Sequence, residues 1–523
     1  MIVHNSKKKL VVDIGCKVPD AEIYCDATYE YFCALNFSNI GMNSNKFYIM
    51  QIIFSNVGVN NQHYALYTKY GRTGENGNPY LKWFDDPAQV IKAYCSQYKS
   101  KTGNKWGGTD QPKPNKYYDL KVSIAADESS VDSLYTDDKS AVNCGTVINP
   151  KCTLQQEVVD LIKLIGNKQI HIDTMRKFGV DTRKLPLGKI SNSIINDANT
   201  ILYALSEIVK AINDGEWHRS KIELELDDSY VTSMLYSLSN EFWTRIPYAC
   251  GRNKPPPLIN NLEQVNNCAD LLDAMKNSKI ANQILKRSSH LHDDHFINVY
   301  DSLKIKITVC SNDKEIEMIK NFVAFTKAPS HNYTLEVLEI FNVSKEQGSN
   351  KNGYSCLRED PSNTFLKTNC MLLVHGSRMS NFMGILSTGL RIPSSSQVNN
   401  GSILGRGIYF ADVISKSFNY CNSHETNDIG FVLLCEVALG NKIDECETVN
   451  TSDLPKGYTS RMGLGQTDVT KTCILEGNVK CPQGGLAKRE GLSNKSSFLY
   501  NEYVIFNADQ YRFKYLVKIK CKK

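Results

Sequence analysis

The chain has no apolar run approaching the roughly 18 residues that a membrane-spanning helix requires. It also has no Cys-x-x-Cys pair, no Gly-x-Gly-x-x-Gly turn and no Gly-x-x-x-x-Gly-Lys-Ser/Thr loop. Each absence closes off a class of function. Without a long apolar run, no membrane partner is expected. Without paired ligands, the 17 cysteines, odd in number and scattered from Cys16 to Cys521, do not group into metal sites or a disulfide framework. The missing glycine turns disfavour a Rossmann dehydrogenase and a P-loop NTPase. Met1 to Leu10 carries Lys7, Lys8 and Lys9 with no long apolar segment behind them, so it does not read as a secretory leader. Reduced cysteines in a cytosolic or nuclear setting are the expectation. A net charge of +6 over 523 residues is too mild to argue by itself for nucleic acid. His290, His292 and His295 lie close together, but their Ser- and Asp-rich setting reads as a loop rather than a metal site.

What is present is organisation. The length exceeds one hydrophobic core, so two to four domains are expected. As far as about Val122 the chain is strand-like: Phe47 to Phe54 and Tyr64 to Tyr70 are rich in β-branched and aromatic residues. Gly71 and Gly74 to Pro79 supply turn chemistry, and Ala88 to Tyr98 has helical spacing. From Lys69 onward cations interleave with flat rings. That composition fits nucleic-acid contact, and equally an ordinary β-domain surface. Ala125 to Lys139 is acidic, Ser-rich and nearly free of apolar residues, which is linker composition. Helical faces follow. Thr153 with Gln156 reads as a capping box ahead of Leu154, Val158, Leu161, Ile162 and Ile165. Ile201, Leu205, Ile208 and Ile212 repeat the pattern up to Gly215. Pro255 to Pro257 interrupt it, and Leu271, Leu272, Met275 and Ile280 resume it.

From about Asp301 short strands take over. Leu303 to Val309 alternates, Tyr333 to Val343 follows, and Phe431 to Leu439 is an almost continuous core strand. Glu502 to Phe506 and Phe513 to Lys520 complete a β-rich end. Within it the apolar run Met371 to Val374 stops in His375-Gly376-Ser377-Arg378. A polar side chain and a bare backbone then stand at the rim of a core, where ligands are usually met. Gly407-Ile408-Tyr409-Phe410-Ala411-Asp412, Ser415 to Tyr420 and Tyr500-Asn501-Glu502-Tyr503 follow. Each of His375, Tyr409 and Glu502 alone has a plain structural explanation.

Together these blocks resemble the ADP-ribosyltransferase fold of the poly(ADP-ribose) polymerases, with its His-Tyr-Glu triad. The likeness spans nearly the whole chain. Tyr70-Gly71-Arg72 and Lys101 to Trp106 resemble the two blocks of a WGR domain, with Tyr70 where that family has its namesake Trp. Leu185 to Ser191 is similar to the family's helical regulatory domain, which blocks NAD until DNA is bound. The implied fold class is multidomain α+β: a WGR DNA-sensing domain over 1–124, an acidic linker over 125–147, a helical regulatory domain over 148–290 and a catalytic domain over 300–523.

The resemblance implies a DNA-strand-break-activated enzyme of the nucleus that elongates ADP-ribose chains on protein acceptors, itself included. NAD would be a consumed substrate, with no other cofactor and no metal, and an accessory protein at the acceptor site is admitted. Tyr70, Arg72, Lys105 and Trp106 would meet DNA. Gly376 would pair with the nicotinamide carboxamide because a side chain there would obstruct it. Ser417 would serve the same amide, while Tyr420 and Tyr409 would flank the ring. His375, Ser377 and Arg391 would hold the adenosine half. Glu502 would stabilise charge on the ribose, with Lys416 orienting it. Ser402 and Val374 depart from aromatic positions of the family. A mono-ADP-ribosyltransferase of the same fold, and a weakly catalytic DNA-end scaffold, stand as the alternatives.

Overall fold

The structure is a computed structural model in which residues 12–122, 153–180, 190–213, 228–288, 295–345, 368–393, 403–492 and 496–522 are described. Lys7 to Lys9, the 125–147 linker, Leu185 to Lys189, Gly215, His290, His292 and Ser402 lie outside them. The chain divides into two compact units. One comprises Met1–Thr146, Met175–Leu272 and Ser396–Val398, and the other Val147–Thr174, Asp273–Ser395 and Asn399–Lys523. Among the described residues no helix is long and apolar enough to cross a membrane.

The first unit opens with six strands: β1 (Glu22–Ile23), β2 (Phe32–Asn39), β3 (Ser44–Val59), β4 (Gln62–Arg72), β5 (Asn78–Phe84) and β6 (Tyr118–Asp119). They pair antiparallel in the order β5-β4-β3-β2-β6, with β1 on β3. Helix α1 (Pro87–Thr102) starts where the Asp86 side chain accepts from the Ala88 amide and stops at Gly103, whose φ of 75° is left-handed. Its Val90, Tyr94 and Tyr98 are buried against Tyr31, Leu35, Tyr48 and Met50.

Five helices follow: α2 (Gln156–Ile165), α3 (Lys168–Lys177), α4 (Asn192–Asn213), α5 (Asp228–Arg245) and α6 (Leu262–Ser288). The expected capping box does not form. Gln155 is the residue before α2, with no side-chain cap, and its Oε1 accepts instead from the Val309 amide, 2.9 Å away. Gln156, the expected partner in the box, donates from Nε2 to Asp160 Oδ1 at 2.9 Å. In α4 the buried stripe runs through Ala198, Leu202, Leu205 and Val209, a small rotation from the face read in the sequence. Within the first unit the end of α5 docks on β2. Asn36 Nδ2 donates to the carbonyls of Trp243 (2.9 Å) and Thr244 (3.0 Å).

In the second unit α7 (His295–Leu303) precedes β7 (Ile305–Val309), α8 (Asp313–Phe325), β8 (Thr334–Lys345), β9 (Cys370–Gly376) and α9 (Phe382–Thr388). Leu303 was expected in the strand and instead ends the helix. The chain turns at Lys304, whose φ is 55°, before β7 begins. Next come β10 (Ile408–Phe410), α10 (Ile414–Asn419), β11 (Ile429–Ala438), β12 (Ile443–Cys446) and β13 (Ser460–Gly463). The chain ends with β14 (Gly465–Val469), β15 (Thr472–Leu475), β16 (Val479–Pro482), β17 (Leu486–Lys488), β18 (Phe498–Tyr500), β19 (Glu502–Ile505) and β20 (Tyr511–Lys522).

Seven strands form one sheet in the order β15-β16-β9-β11-β20-β8-β7, four form a second as β10-β19-β13-β12, and β17-β14-β18 form a third. Strand β11 explains its apolar sequence. Phe431, Leu433, Cys435 and Val437 join one core, while Val432 and Leu434 join the core on the opposite face. Both faces are covered, so the strand cannot alternate with polar residues.

Phe431 is fully buried, and Phe431→Ala is expected to lower the unfolding free energy of this unit by about 3–5 kcal/mol. Denaturant unfolding measures it, and a loss below about 1 kcal/mol would contradict the packing described.

Candidate functional site

Strand β9 of the seven-stranded sheet ends beside the segment that follows β10 of the four-stranded sheet. Antiparallel pairing with β11 sets His375 opposite Leu433 and Gly376 opposite Val432. On its other side, Val374 exchanges both backbone hydrogen bonds with Ala411, at 2.8 and 3.0 Å. The His375 imidazole donates from Nδ1 to the Tyr409 carbonyl at 3.0 Å. That bond fixes the ring's orientation and leaves Nε2 as the free position. Burial lowers the pKa of His375, with the carbonyl contact opposing, so the ring is neutral at pH 7.

The reason for glycine at 376 differs from the one expected. A Cβ there would lie 1.9 Å from the Ser417 carbonyl oxygen and 2.7 Å from its carbon. The backbone of α10 claims that space, whatever a ligand needs. The same approach sets Ser417 Oγ 3.0 Å from the Val374 carbonyl, to which it donates. Its lone pairs remain to accept.

Tyr409 on β10 is the register partner of Val504 on β19. By the two-residue period of a strand, Glu502 shares that face. The Tyr409 hydroxyl donates to the Gly405 carbonyl at 2.6 Å and accepts from the Leu404 amide at 2.9 Å, pinning the turn that precedes it. Burial raises its pKa, and the nearby Glu502 charge adds to the rise. Glu502 Oε1 lies 2.8 Å from Lys416 Nζ, both largely shielded. Lys416 also donates to the carbonyls of Tyr500 and Asn501, each at 3.0 Å. Burial lowers the Lys416 pKa, against the pull of Glu502. Three acceptors hold one ammonium, so the carboxylate is presented in a single orientation.

The remaining expected residues lie on other segments of the second unit. Ser377 Oγ accepts from Asn381 Nδ2 at 3.0 Å. Tyr420 follows α10 and is 51% exposed. Arg391 Nη2 donates to Asn277 Oδ1 on α6 at 3.0 Å. Among the described residues no three His, Cys, Asp or Glu side chains converge as a metal site.

Two buried networks were not anticipated. Asp412 accepts from Asn501 Nδ2 (2.7 Å) and the Tyr503 hydroxyl (3.1 Å), and burial raises its pKa. Asn501 Nδ2 also donates to Asp468 Oδ1 at 2.9 Å, and Arg489 Nη2 lies 2.9 Å from Asp468 Oδ2. These residues brace the segment on which Glu502 stands. The second network centres on Arg461, which is 0% exposed. Its Nε lies 2.7 Å from Asp444 Oδ2, and its Nη1 donates to the carbonyls of Leu404 (3.2 Å), Asn450 (2.8 Å) and Ser452 (3.0 Å). It holds the Leu404 turn from one side as Tyr409 holds it from the other. The available signal was a cation inside Ser460-Arg461-Met462-Gly463, where a short Gly-bounded strand would carry a core residue.

In the first unit, Tyr70 is 47% exposed and stacks on Tyr48, with centroids 5.7 Å apart and planes 12° apart. Lys101 Nζ sits 4.5 Å over the Tyr48 ring. Burial lowers the Lys101 pKa, helped by Lys46 and Lys116. Lys105 is exposed. Arg72 and Trp106 are both half-buried. Arg72 donates to the Asn43 carbonyl (3.0 Å), Asn43 Oδ1 (2.7 Å) and the Lys254 carbonyl (2.9 Å). Trp106 packs edge-on against Tyr94 and Tyr98, each at 4.9 Å. Its large apolar area is worth more in the core than on the surface.

Comparison with known proteins follows the same order along the chain. Residues 31–115 match the WGR domain, residues 152–302 the poly(ADP-ribose) polymerase regulatory domain, and residues 313–521 the poly(ADP-ribose) polymerase catalytic domain. Poly(ADP-ribose) polymerase 1 of Gallus gallus is 34% identical over 531 residues, covering 98% of this chain and 48% of its own. Poly(ADP-ribose) polymerase 2 of Homo sapiens is 30% identical over 528 residues, covering 98% of this chain and 84% of its own. For poly(ADP-ribose) polymerase 2 of Arabidopsis thaliana the identity is 31% over 500 residues, with 94% and 73% covered. The chain spans about half the length of the first of these relatives.

Gly376→Ala should destabilise the second unit by about 1–3 kcal/mol through overpacking, and should disrupt the site. Thermal unfolding of the variant tests this, and an unchanged midpoint would remove the steric argument. The lowered pKa of His375 has a sign. The unfolded chain takes up this proton first as pH falls, so the group's contribution to stability is lost below about 6.5. An NMR titration of the His375 ring should therefore give a midpoint below about 6.5; one above it would contradict the burial described.

Proposed function

The chain belongs to the poly(ADP-ribose) polymerase family, and we propose that it transfers ADP-ribose from NAD to protein acceptors, itself included, and elongates the product with release of nicotinamide. The observation that carries this reading is Glu502. Its carboxylate is oriented by half-buried Lys416 at 2.8 Å and shares a strand face with Tyr409. Cleavage of the nicotinamide–ribose bond builds positive charge on the ribose, as in glycoside hydrolysis. A carboxylate fixed beforehand stabilises that charge without reorganising at the moment of reaction. The same carboxylate polarises the hydroxyl that attacks next. Lys416 is a positioning residue: its three acceptors leave Glu502 little freedom.

Roles for the other groups follow from their chemistry. The Gly376 backbone and the Ser417 oxygen offer an amide partner and an acceptor to the nicotinamide carboxamide, with Tyr409 and Tyr420 beside the ring. His375, through its free Nε2, takes a ribose hydroxyl of the adenosine half. Ser377 and Arg391 serve the same half. NAD is substrate here, and the residues named supply the chemistry without a metal.

We further propose that the N-terminal 1–124 segment docks on broken or nicked DNA through Tyr70, Lys101 and Lys105, with Arg72 and Trp106 supporting that surface from within. In this reading 125–147 is a linker, 148–290 the helical regulatory domain that DNA binding loosens, and 300–523 the catalytic domain. The setting is the nucleus and the process the repair of damaged DNA, and an accessory protein is admitted at the acceptor site.

Labelled NAD incubated with and without nicked DNA tests the coupling: polymer should rise with DNA, and equal product in both tubes would refute it. Glu502→Gln should cut elongation by roughly 10²–10³ while NAD binding persists. Normal elongation by that variant would sink the assignment.

A further inference from the structure

Beyond the site, one pair of side chains is arranged for chemistry that the transferase reaction does not use. Strands β15 and β16 form a hairpin at the edge of the seven-stranded sheet, and Cys473 and Cys481 are direct register partners across it. Both are free thiols. Directly opposed residues of an antiparallel pair have Cα atoms about 4.5–5.5 Å apart, inside the roughly 4.4–6.8 Å span that a disulfide bridges. The register pairing therefore sets the two backbones within the span of a disulfide.

The two sulfurs differ in access. Cys473 is partly exposed, whereas Cys481 is buried. Cys481 Sγ lies 3.7 Å from the Met318 thioether. Gln483 Nε2 donates to that sulfur at 3.5 Å and to the Met318 carbonyl at 3.0 Å, which ties the far side of the thiol in place. Burial pushes the Cys481 thiol up to about 12, so it stays protonated and shielded while Cys473 meets solvent first.

We propose that Cys473 and Cys481 are a reversible modification site, closing to an intrachain disulfide when the protein meets hydrogen peroxide. The Cys473 sulfur, as thiolate, attacks one peroxide oxygen. The O–O bond breaks, the departing hydroxide leaves as water, and Cys473 becomes a sulfenic acid. The Cys481 sulfur then attacks the Cys473 sulfur. The S–S bond forms, the S–O bond breaks, and the departing hydroxyl leaves as a second water with the Cys481 proton. Two thiols are oxidised by two electrons and one peroxide is reduced to two waters. An external dithiol reverses the step by exchange. The cross-link would staple an edge hairpin whose β16 lies beside β9, the strand that ends in His375 and Gly376, through Lys480 paired with Met371.

The test uses the full chain, reduced and then exposed to hydrogen peroxide, alkylated and digested with trypsin. Cleavage after Lys471, Lys480 and Lys488 separates the two cysteines into different peptides. The expected product is Thr472–Lys480 joined to Cys481–Lys488, lighter than the two reduced peptides by two hydrogens and split again by dithiothreitol. In Cys481→Ser, Cys473 should stop as a sulfenic acid that dimedone captures. In Cys473→Ser, which alters the more exposed thiol, Cys481 should stay unmodified in the folded protein. Oxidation of Cys473 in the unaltered protein without the joined pair would overturn the proposal. So would joining of Cys473 to another cysteine, or a pair that forms only in denaturant. None of these readouts depends on transferase activity.

Discussion

The carbonyl of Ser417 and the backbone at position 376 approach so closely that a Cβ would stand 1.9 Å from the oxygen. The rest of the site depends on this contact. It presses the short helix α10 onto the end of β9, and α10 carries Lys416. From there Lys416 reaches the carbonyls of Tyr500 and Asn501 and the carboxylate of Glu502. Because packed interiors are not continuously deformable, a wider separation at 376 would be passed on to Glu502. The Val374–Ala411 bridge locks the same strand end to the segment that follows Tyr409. One steric contact therefore registers a histidine, a tyrosine and a glutamate that come from three strands.

Around this contact the fold accepts several buried polar groups and joins them into networks. Arg461 is fully buried and surrounded by a carboxylate and backbone carbonyls. Asp412, Asn501, Asp468 and Arg489 share protons across one network. Removing any single member would strand another in a low-dielectric setting, which costs more than the pair contributes. Such networks are poor sources of net stability and good sources of uniqueness. Here they hold the Leu404 turn and the Glu502 segment from behind.

Much of the fold was legible. Strand β11 announced itself by an unbroken apolar run because both its faces are covered. Helix α1 was visible in the spacing of Val90, Tyr94 and Tyr98. The failures have physical causes. Gln155 was overlooked as a partner for Val309 because that hydrogen bond joins residues 154 apart. Leu303 was placed in a strand because alternation over a few residues does not reveal that a helix ends there. The surroundings of Trp106 had no local signal either: four tyrosines of its own domain, Tyr29, Tyr31, Tyr94 and Tyr98, pack around it.

What the sequence by itself determined is the set of chemical groups and the local elements that carry them: a His-Gly at a strand end, a Tyr two residues after Gly407, a Glu after Tyr500-Asn501. Local periodicity and hydrogen-bonding chemistry act over a few residues, so they can be read directly. Only the tertiary structure decided that these groups share one site, that glycine at 376 answers to Ser417, that Lys416 belongs to Glu502, and that Arg461 and Asp412 support them from within. Those relations come from burial and pairing between segments distant in sequence. They arise when the sheets and helices pack, and no short stretch encodes them.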